Sequence, residues 1–276
     1  MVFVVKNSGE RQQFDQKKVE YALIRSGANP KLAREVAWEV ESQIFDGIST
    51  SKVYQLAFKI LSKHDNSSAT RFGLKLAIMR LGPTGFPFEK YMSRVLDAYG
   101  YNTMINQNLM GTCVEHEVDI VAQKDEQKYM VECKYHNQLG IFTGLKEALY
   151  TQARFEDLAD GGHSFTHPWI ICNTKITSTA IQYGTCKNMK MTAWGYPEKE
   201  NLQDLIEAKR LYPMTILRTV TDEVKNKLAR HDLLLTQDLL KLEPAKLSKL
   251  SGISEKRMAP ILDELHQITN NITSEK

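Results

Sequence analysis

Residues 117–121 read EVDIV, and after a charged turn residues 129–135 read YMVECKY. Both runs alternate apolar and polar side chains, which is the period of a half-buried β-strand. The turn between them favours a β-hairpin. In that hairpin Asp119 faces away from its apolar neighbours, and Glu132 and Lys134 share one face. The pattern therefore predicts that Asp119, Glu132 and Lys134 converge on one side of a sheet.

These three side chains point to a specific chemistry. Two carboxylates are natural ligands for a hard divalent cation, which prefers oxygen donors. A lysine beside such an ion can orient a water molecule or stabilise charge on a phosphate. Glu-x-Lys alone is also what a solvated strand surface contains, but the upstream Asp119 favours a metal site that cleaves phosphodiester bonds.

The order of these residues resembles the PD-(D/E)xK nuclease superfamily, in which an acid in one strand precedes Glu-x-Lys in the next. Residues 85–89 read GFPFE, and with Gly100-Tyr101 they flank a helix predicted over residues 87–99. This helix resembles the one that precedes the hairpin in the Mrr-type restriction endonuclease branch. The segment EHEVD, residues 115–119, lacks the glycine-rich GxDGGID of many Mrr relatives, so the subfamily and its substrate stay open.

The resemblance covers residues 83–205 and implies an endonuclease that requires Mg²⁺ or Mn²⁺. It implies that Asp119 and Glu132 bind the metal, with the backbone carbonyl of Cys133 as a further ligand. Lys134 would orient the attacking water. Glu89 lies in the first turn of the preceding helix, where it either supports the metal site or is an ordinary first-turn acid that suits the helix dipole.

The sequence after Lys134 completes a nuclease-like core. The resemblance implies that Gln152 lies near the site and that Arg154 contacts phosphate; the alternative for each is a structural or surface role. The predicted order is α-β-β-β-α-β-α-β, which suits a mixed sheet flanked by helices. The elements expected after the hairpin are a helix at 143–159, a buried strand at 169–173, a helix at 178–184 and a strand at 189–194.

The first 82 residues have a pattern of their own. Two short strands at 2–6 and 11–14 precede four helices. The predicted helices begin near residues 15, 30, 49 and 68, and the last runs from 68 to 81. This arrangement resembles the ATP-cone domain, a nucleotide-binding regulatory module.

The residues that carry this second resemblance are VK at 5–6 with Gly9, FD at 14–15 with Lys18, and IST at 48–50. It implies that Lys6 and Lys18 contact the phosphates of an effector such as ATP or dATP, and that Thr50 helps to hold it. The family usually places a second basic residue where this chain has Asn7. Losing one charge-assisted hydrogen bond costs about 1–2 kcal/mol, so nucleotide binding by this domain stays open.

Residues 206–276 are expected to be helical, with helices at 238–242, 244–250 and 254–265. The glycine turn between the last two resembles a helix-hairpin-helix, which implies a grip on the DNA backbone. Gly252 would supply the turn amides, and Lys249, Lys256 and Arg257 would add positive charge. Plain packing or a dimer contact is the alternative for such a short motif.

Composition narrows the class of protein. With 42% hydrophobic and 25% charged residues, the 276-residue chain is typical of globular proteins of two or three domains. It contains no apolar run of membrane-spanning length, and residues 1–5 are too short for a signal sequence. The four cysteines lack Cys-x-x-Cys spacing, so we expect reduced thiols in a cytoplasmic protein rather than a zinc site. The net charge of +3 divides into an acidic middle and basic flanks.

The sequence therefore predicts an α/β multidomain protein. It combines an α+β ATP-cone-like domain (1–82), a mixed-sheet restriction-endonuclease-like core (83–205) and an all-α domain (206–276). The expected function is metal-dependent cleavage of duplex DNA under control of a nucleotide effector, without a membrane. The alternatives are a non-catalytic, nucleotide-responsive DNA-binding regulator and an RNase or junction-resolving nuclease on the same fold. A homo-oligomeric state is left open.

Overall fold

The structure is a computed structural model and describes residues 2–7, 9–82 and 84–270. The chain forms two compact units. One unit combines the segment up to Ile78 with the segment from Pro213 onward, and the other is Met79–Tyr212. The predicted domain boundaries at 82/83 and 205/206 stay a prediction, because a compact unit is not necessarily a domain that folds independently.

The first segment folds into a small sheet covered by helices. The strand order is β2-β1-β3, with β2 antiparallel and β3 parallel to β1. The helices bury an apolar core that includes Leu23, Val36 and Leu61. The elements are β1 (Phe3–Val5), β2 (Arg11–Gln13), α1 (Gln16–Arg25), α2 (Pro30–Gln43), β3 (Ile48–Ser49), α3 (Thr50–His64), α4 (Asn66–Phe72) and α5 (Leu74–Met79).

The single helix predicted over 68–81 is wrong, because two helices occupy this stretch. Helix α4 begins earlier than expected, since the Asp65 side chain caps it by accepting the Ser68 amide at 2.9 Å. Gly73 ends it, and its own amide donates to Ala69 and Thr70 in a tightened last turn. Strand β3 was not predicted, because two residues are too few to show a period.

The second unit is built on a five-stranded mixed sheet of order β10-β8-β6-β5-β4. Strands β4, β5 and β6 are antiparallel, and β6, β8 and β10 are parallel. The elements are α6 (Phe86–Ala98), β4 (Asn102–Met110), β5 (Glu115–Lys124), β6 (Gln127–Lys134), β7 (Phe142–Thr143), α7 (Leu145–Asp160), β8 (His167–Cys172), β9 (Lys175–Ile176), α8 (Ser178–Cys186), β10 (Lys190–Thr192) and α9 (Leu202–Ala208). Apart from the two-residue strands β7 and β9 and the final helix α9, which were not predicted, this is the predicted order, and the mixed-sheet prediction is confirmed.

Helix α9 continues the second unit past residue 205. The Tyr99 hydroxyl donates to the Leu205 carbonyl at 2.9 Å, and Lys209 Nζ donates to the Ala98 carbonyl at 2.6 Å. The Tyr91 hydroxyl, buried in α6, reaches the Leu211 carbonyl at 2.7 Å. These contacts tie the chain to α6 as far as the end of the unit.

The last segment is helical, as predicted, and packs on the first within one unit. Its elements are a 3₁₀ turn (Met214–Ile216), α10 (Asp222–Ala229), α11 (Thr236–Leu240), α12 (Pro244–Ser251) and α13 (Glu255–Asn270). Arg71 of α4 donates to the carbonyl of Ser26 at 2.7 Å and to the hydroxyls of Ser67 and Ser68. The Ser67 hydroxyl in turn donates to the Gln267 carbonyl of α13 at 3.3 Å. Helix α4 is therefore held between the first segment and the last.

Candidate active site

Asp119 and Glu132 lie where two paired strands of the sheet separate. The ladder between β5 and β6 ends at the pair Ile120–Val131, so the next position on each strand is Asp119 and Glu132. Asp119 Oδ2 accepts the backbone amide of Cys133 at 2.7 Å. A side chain thus replaces the ladder bond at this point, and both carboxylates are directed to the same gap.

A distortion of the outer strand accompanies this separation. The pairs Ile105–Ile120 and Gln107–Val118 place Asn106 opposite Asp119. Asn106 has a φ of +50°, in the left-handed region that few non-glycine residues adopt. The sheet is therefore irregular on both sides of Asp119.

Glu132 is buried and bonded through both of its oxygens. Lys134 Nζ donates to Oε1 at 2.6 Å, and the Arg154 guanidinium donates to Oε2. The same guanidinium also donates to the backbone carbonyl of Glu117. Arg154 therefore joins β5 to β6 beyond the end of their ladder, and this pairing could not be read from the sequence.

The acidic side chains raise one another's affinity for protons. Burial raises the pKa of Asp119 to about 6, with a further contribution from the Glu132 carboxylate. Burial also raises the pKa of Glu89 to about 7, followed by the nearby charges of Asp119, Glu117 and Glu132. Glu89, in the first turn of α6, is thus part of the same electrostatic cluster. Such an excess of negative charge favours a cation.

Lys134 stays positively charged in this setting. Burial acts to lower its pKa, but the carboxylates of Glu132 and Asp119 outweigh that effect and the net pKa is raised. The thiol of the neighbouring Cys133 is buried, and burial raises its pKa well above the ordinary value. The thiol is therefore neutral, and only the backbone of Cys133 is suited to an ion.

The donor set fits a small hard cation that keeps water ligands. Within residues 2–7, 9–82 and 84–270, no three His, Cys, Asp or Glu side chains are arranged to hold one ion. Asp119 and Glu132 supply two carboxylates. Mg²⁺ is commonly bound by one or two carboxylates, several waters and the substrate phosphate. The arrangement suits this mode better than a cage made wholly of protein.

Further polar residues fix the chain beside the site. The Asn173 side chain accepts the His136 amide at 2.8 Å and donates to the His136 carbonyl at 2.7 Å. His136 Nε2 is 3.2 Å from the Thr143 hydroxyl. Gln152 is buried and its amide donates to Glu156 at 2.9 Å. These contacts of His136 with Asn173 and Thr143 were not predicted. The only indication in the sequence was that His136 follows directly after the hairpin.

Two of the three residues predicted to hold a nucleotide line a cavity of about 240 Å³ in the first segment. Lys18 and Thr50 line it together with apolar side chains. Lys6 lies outside that lining and pairs with Glu10 at 3.0 Å. The cavity wall includes Tyr54 and Phe72, whose stacked rings are 4.6 Å apart. Asn7 accepts a hydrogen bond from the Ser51 hydroxyl at 3.0 Å.

The residues predicted to contact DNA lie at the turn between α12 and α13. Gly252 ends α12 with a φ of +62° and a ψ of 25°, a conformation that favours glycine. Lys249 and Lys256 are exposed. Arg257 pairs with Glu223 of α10 at 2.8 Å, and its hydrogen bond holds the pKa of Glu223 at about 2. Part of the expected positive charge is therefore already neutralised.

Comparisons with known proteins agree with this architecture. Residues 2–76 match the ATP cone domain, residues 82–205 match a family described as restriction endonuclease, and residues 212–269 match a family described as AF1548-like, C-terminal. The fold and site thus define a restriction-endonuclease-like protein with an ATP cone domain and a helical C-terminal domain, as the sequence predicted.

Two similar proteins extend the match. An uncharacterized protein of Archaeoglobus fulgidus is 43% identical over 177 residues, which is 64% of this chain and 99% of that protein. The crystal structure of a protein of unknown function, AF1548, is 40% identical with a TM-score of 0.60. The match covers 68% of this chain and all of that one. The chain therefore belongs to the AF1548-like family. None of its described helices is both long and apolar enough to cross a membrane.

Proposed function

We propose that this protein is a divalent-metal-dependent endonuclease that hydrolyses phosphodiester bonds of DNA. The observation that carries the proposal is the position of Asp119 and Glu132 at the gap between β5 and β6, with Lys134 beside them. An accidental surface cluster would not be buried and would not raise the pKa of its carboxyl groups. Here Glu132 is buried and the pKa of Asp119 is about 6.

The roles follow from the chemistry of each side chain. Asp119 and Glu132 would hold Mg²⁺ or Mn²⁺, with the backbone carbonyl of Cys133 as a further ligand. A bound divalent ion would lower the pKa of a nearby water and offset charge on the phosphate. Lys134 has three N–H donors and uses one on Glu132 in this structure. The others are available to orient the water in line with the phosphorus and to bind a phosphate oxygen.

Glu89 completes the acidic side of the proposed site. Its pKa of about 7 makes it able to exchange a proton near neutral pH. We assign it to a water or a second ion close to the substrate. It is the least constrained of the four proposed catalytic residues, because Asp119 acts on it through its charge.

The first segment would regulate cleavage, and the last segment would hold the DNA substrate. ATP or dATP would occupy the cavity lined by Lys18 and Thr50, with Lys6 reaching the phosphates once it leaves Glu10. The amides of the turn at Gly252, with Lys249, Lys256 and Arg257, would hold the DNA backbone. We place the protein in the cytoplasm, where its free thiols would stay reduced.

Cleavage of supercoiled plasmid tests the proposal. The full chain is incubated with Mg²⁺ or Mn²⁺, with and without ATP or dATP, beside Lys134→Ala and a matched Lys128→Ala variant, which removes a lysine from the same strand. Nicking that needs metal, survives in Lys128→Ala and disappears in Lys134→Ala supports the nuclease. Metal-independent nicking, or equal nicking by both variants, would refute it.

The same assay separates the alternatives. DNA that is bound but not cut, with binding altered by ATP, would favour a regulator on a nuclease fold. Cleavage confined to RNA or branched DNA would keep the chemistry and change the substrate. Competition between duplex, branched and single-stranded substrates distinguishes these outcomes.

A further inference from the structure

Arg154 occupies an unusual position for an arginine. Its side chain is 8% exposed, and its guanidinium bonds the Glu132 carboxylate and the Glu117 carbonyl. It also lies 5.2 Å from the centre of the Tyr150 ring. An arginine so buried and bonded on two sides is fixed, because moving it would leave a buried positive charge and one oxygen of a buried carboxylate without partners.

Lys134 holds the other oxygen of Glu132 far less firmly. Its side chain is 30% exposed and donates a hydrogen bond to Glu132 Oε1. A flexible ammonium group near water exchanges partners more readily than a guanidinium bonded on two sides. A cation that arrives from solvent therefore competes with Lys134 for Oε1 and leaves Oε2 with Arg154.

We propose that Arg154 is a positioning residue that restricts Glu132 to a single metal-binding oxygen and thereby selects Mg²⁺ or Mn²⁺ over Ca²⁺. The inference rests on the proposed function, since it concerns the metal of that same site. Mg²⁺ requires octahedral geometry and accepts one oxygen from a carboxylate, whereas Ca²⁺ takes six to eight oxygens and often binds a carboxylate through both. With Oε2 held by Arg154, Glu132 cannot bind an ion through both of its carboxylate oxygens.

The site offers a matched pair of variants. Arg154→Met and Lys134→Met each remove one positive charge from one oxygen of Glu132. Both should tighten the binding of any divalent ion, because a competing cation is lost. Only Arg154→Met frees the second oxygen for a metal, so only that variant should change the preference between ions.

The measurement is Mn²⁺ binding to the full chain by electron paramagnetic resonance, followed by displacement with Mg²⁺ or Ca²⁺. Arg154→Met should improve Ca²⁺ binding relative to Mg²⁺ by about tenfold, a change at the lower end of the effect on metal affinity that groups orienting a metal ligand commonly have. Lys134→Met should leave this ratio within about twofold of the wild type. Arg154→Lys keeps the charge but lacks the rigid planar fork that bonds Glu132 and Glu117 from two separate nitrogens, so its ratio should fall between those of the other two variants.

The outcomes separate the two proposals. Mn²⁺ binding that is lost in Asp119→Asn, together with an unchanged Ca²⁺/Mg²⁺ ratio in Arg154→Met, would overturn the role of Arg154 and leave the metal site intact. Mn²⁺ binding that is absent from the wild type would overturn the metal site and this inference together. If Arg154→Met does not fold, as judged by circular dichroism, the ratio in Arg154→Lys decides: a rise supports the inference and no change refutes it.

Discussion

Replacing the proposed metal ligand Asp119 should make the metal-free protein more stable. Asp119→Asn removes a carboxylate whose pKa is raised from 3.8 to about 6 by burial and by Glu132. One pKa unit corresponds to about 1.4 kcal/mol, so the charged carboxylate costs the fold up to about 3 kcal/mol. Asp119 is only partly buried, and we expect solvent screening to reduce this to about 1–2 kcal/mol. Asparagine keeps an oxygen that can accept the Cys133 amide.

The sign of the pH dependence follows from the same shift. An acid whose pKa is higher in the folded state favours folding below its unfolded pKa, and this contribution is lost as the pH rises through the folded pKa. The wild type should therefore lose stability relative to Asp119→Asn between about pH 4 and pH 7. Mg²⁺ should reverse the order, because an ion at about 100 times its dissociation constant stabilises the protein that binds it by about 2.7 kcal/mol.

Urea unfolding measures the effect. Both proteins carry Trp38→Phe. The remaining tryptophans, Trp169 and Trp194, then report only on the unfolding of the unit Met79–Tyr212. Unfolding is followed in EDTA at pH 5 and pH 8, and then in Mg²⁺. Glu126→Gln, an exposed acid in the turn of the same hairpin, serves as the control and should change nothing. Asp119→Asn that is less stable than the wild type in EDTA at pH 8 would refute the reasoning.

Three other residues give further predictions. Asn106→Gly should preserve stability and Mn²⁺ binding because glycine accepts the positive φ, whereas Asn106→Val should lower thermal stability by about 1–2 kcal/mol and weaken Mn²⁺ binding. Burial favours a higher pKa for Asp157, but hydrogen bonds from the Cys113 amide and His116 outweigh it and hold the pKa at about 2. The wild type should therefore lose stability as the pH falls from about 4 towards 2, and Asp157→Asn should show less of this loss in acid unfolding curves. Arg71→Met should destabilise the unit that contains the ATP cone by about 2–4 kcal/mol in urea unfolding, because four hydrogen bonds from a charged group are lost.

Each of these has a result that would contradict it. Equal stability of the glycine and valine variants would mean that the backbone of β4 relaxes at no cost. An acid transition that Asp157→Asn does not alter would assign it to other carboxylates. An Arg71→Lys variant as unstable as Arg71→Met would show that charge alone fails to replace the branched donors, and unchanged stability in both would refute the role of Arg71.

Periodic patterns in the sequence predicted most of the architecture. The alternation of 117–121 and 129–135 predicted strands β5 and β6, and apolar spacing predicted helices α6 and α7 before and after the hairpin. The order of acid and Glu-x-Lys predicted which side chains the sheet brings together. These features are local, so a run of a few residues contains the information needed to recognise them.

The parts that were missed depend on distant partners. Arg154 lies 22 residues from Glu132 in the chain, and nothing on its own helix indicates that its guanidinium joins two strands. The positive φ of Asn106 arises from the irregular pairing opposite Asp119, and its sequence gives no sign of it. The prediction of one helix over 68–81 was wrong because the apolar spacing continues past Gly73, whereas helix α4 ends there and α5 begins at Leu74.

The unit that contains the ATP cone is assembled from two segments with the other unit inserted between them. Hydrogen bonds from Ser67 to Gln267 and from Arg71 to Ile268 join residues 200 and 197 positions apart. Closing so long a loop is slow compared with pairing neighbouring strands. During synthesis, residues 79–212 have all the partners of their sheet once Tyr212 has emerged, whereas α4 still waits for α13. A growing chain therefore completes the part that we propose to cut DNA before it completes the part that we propose to control cutting.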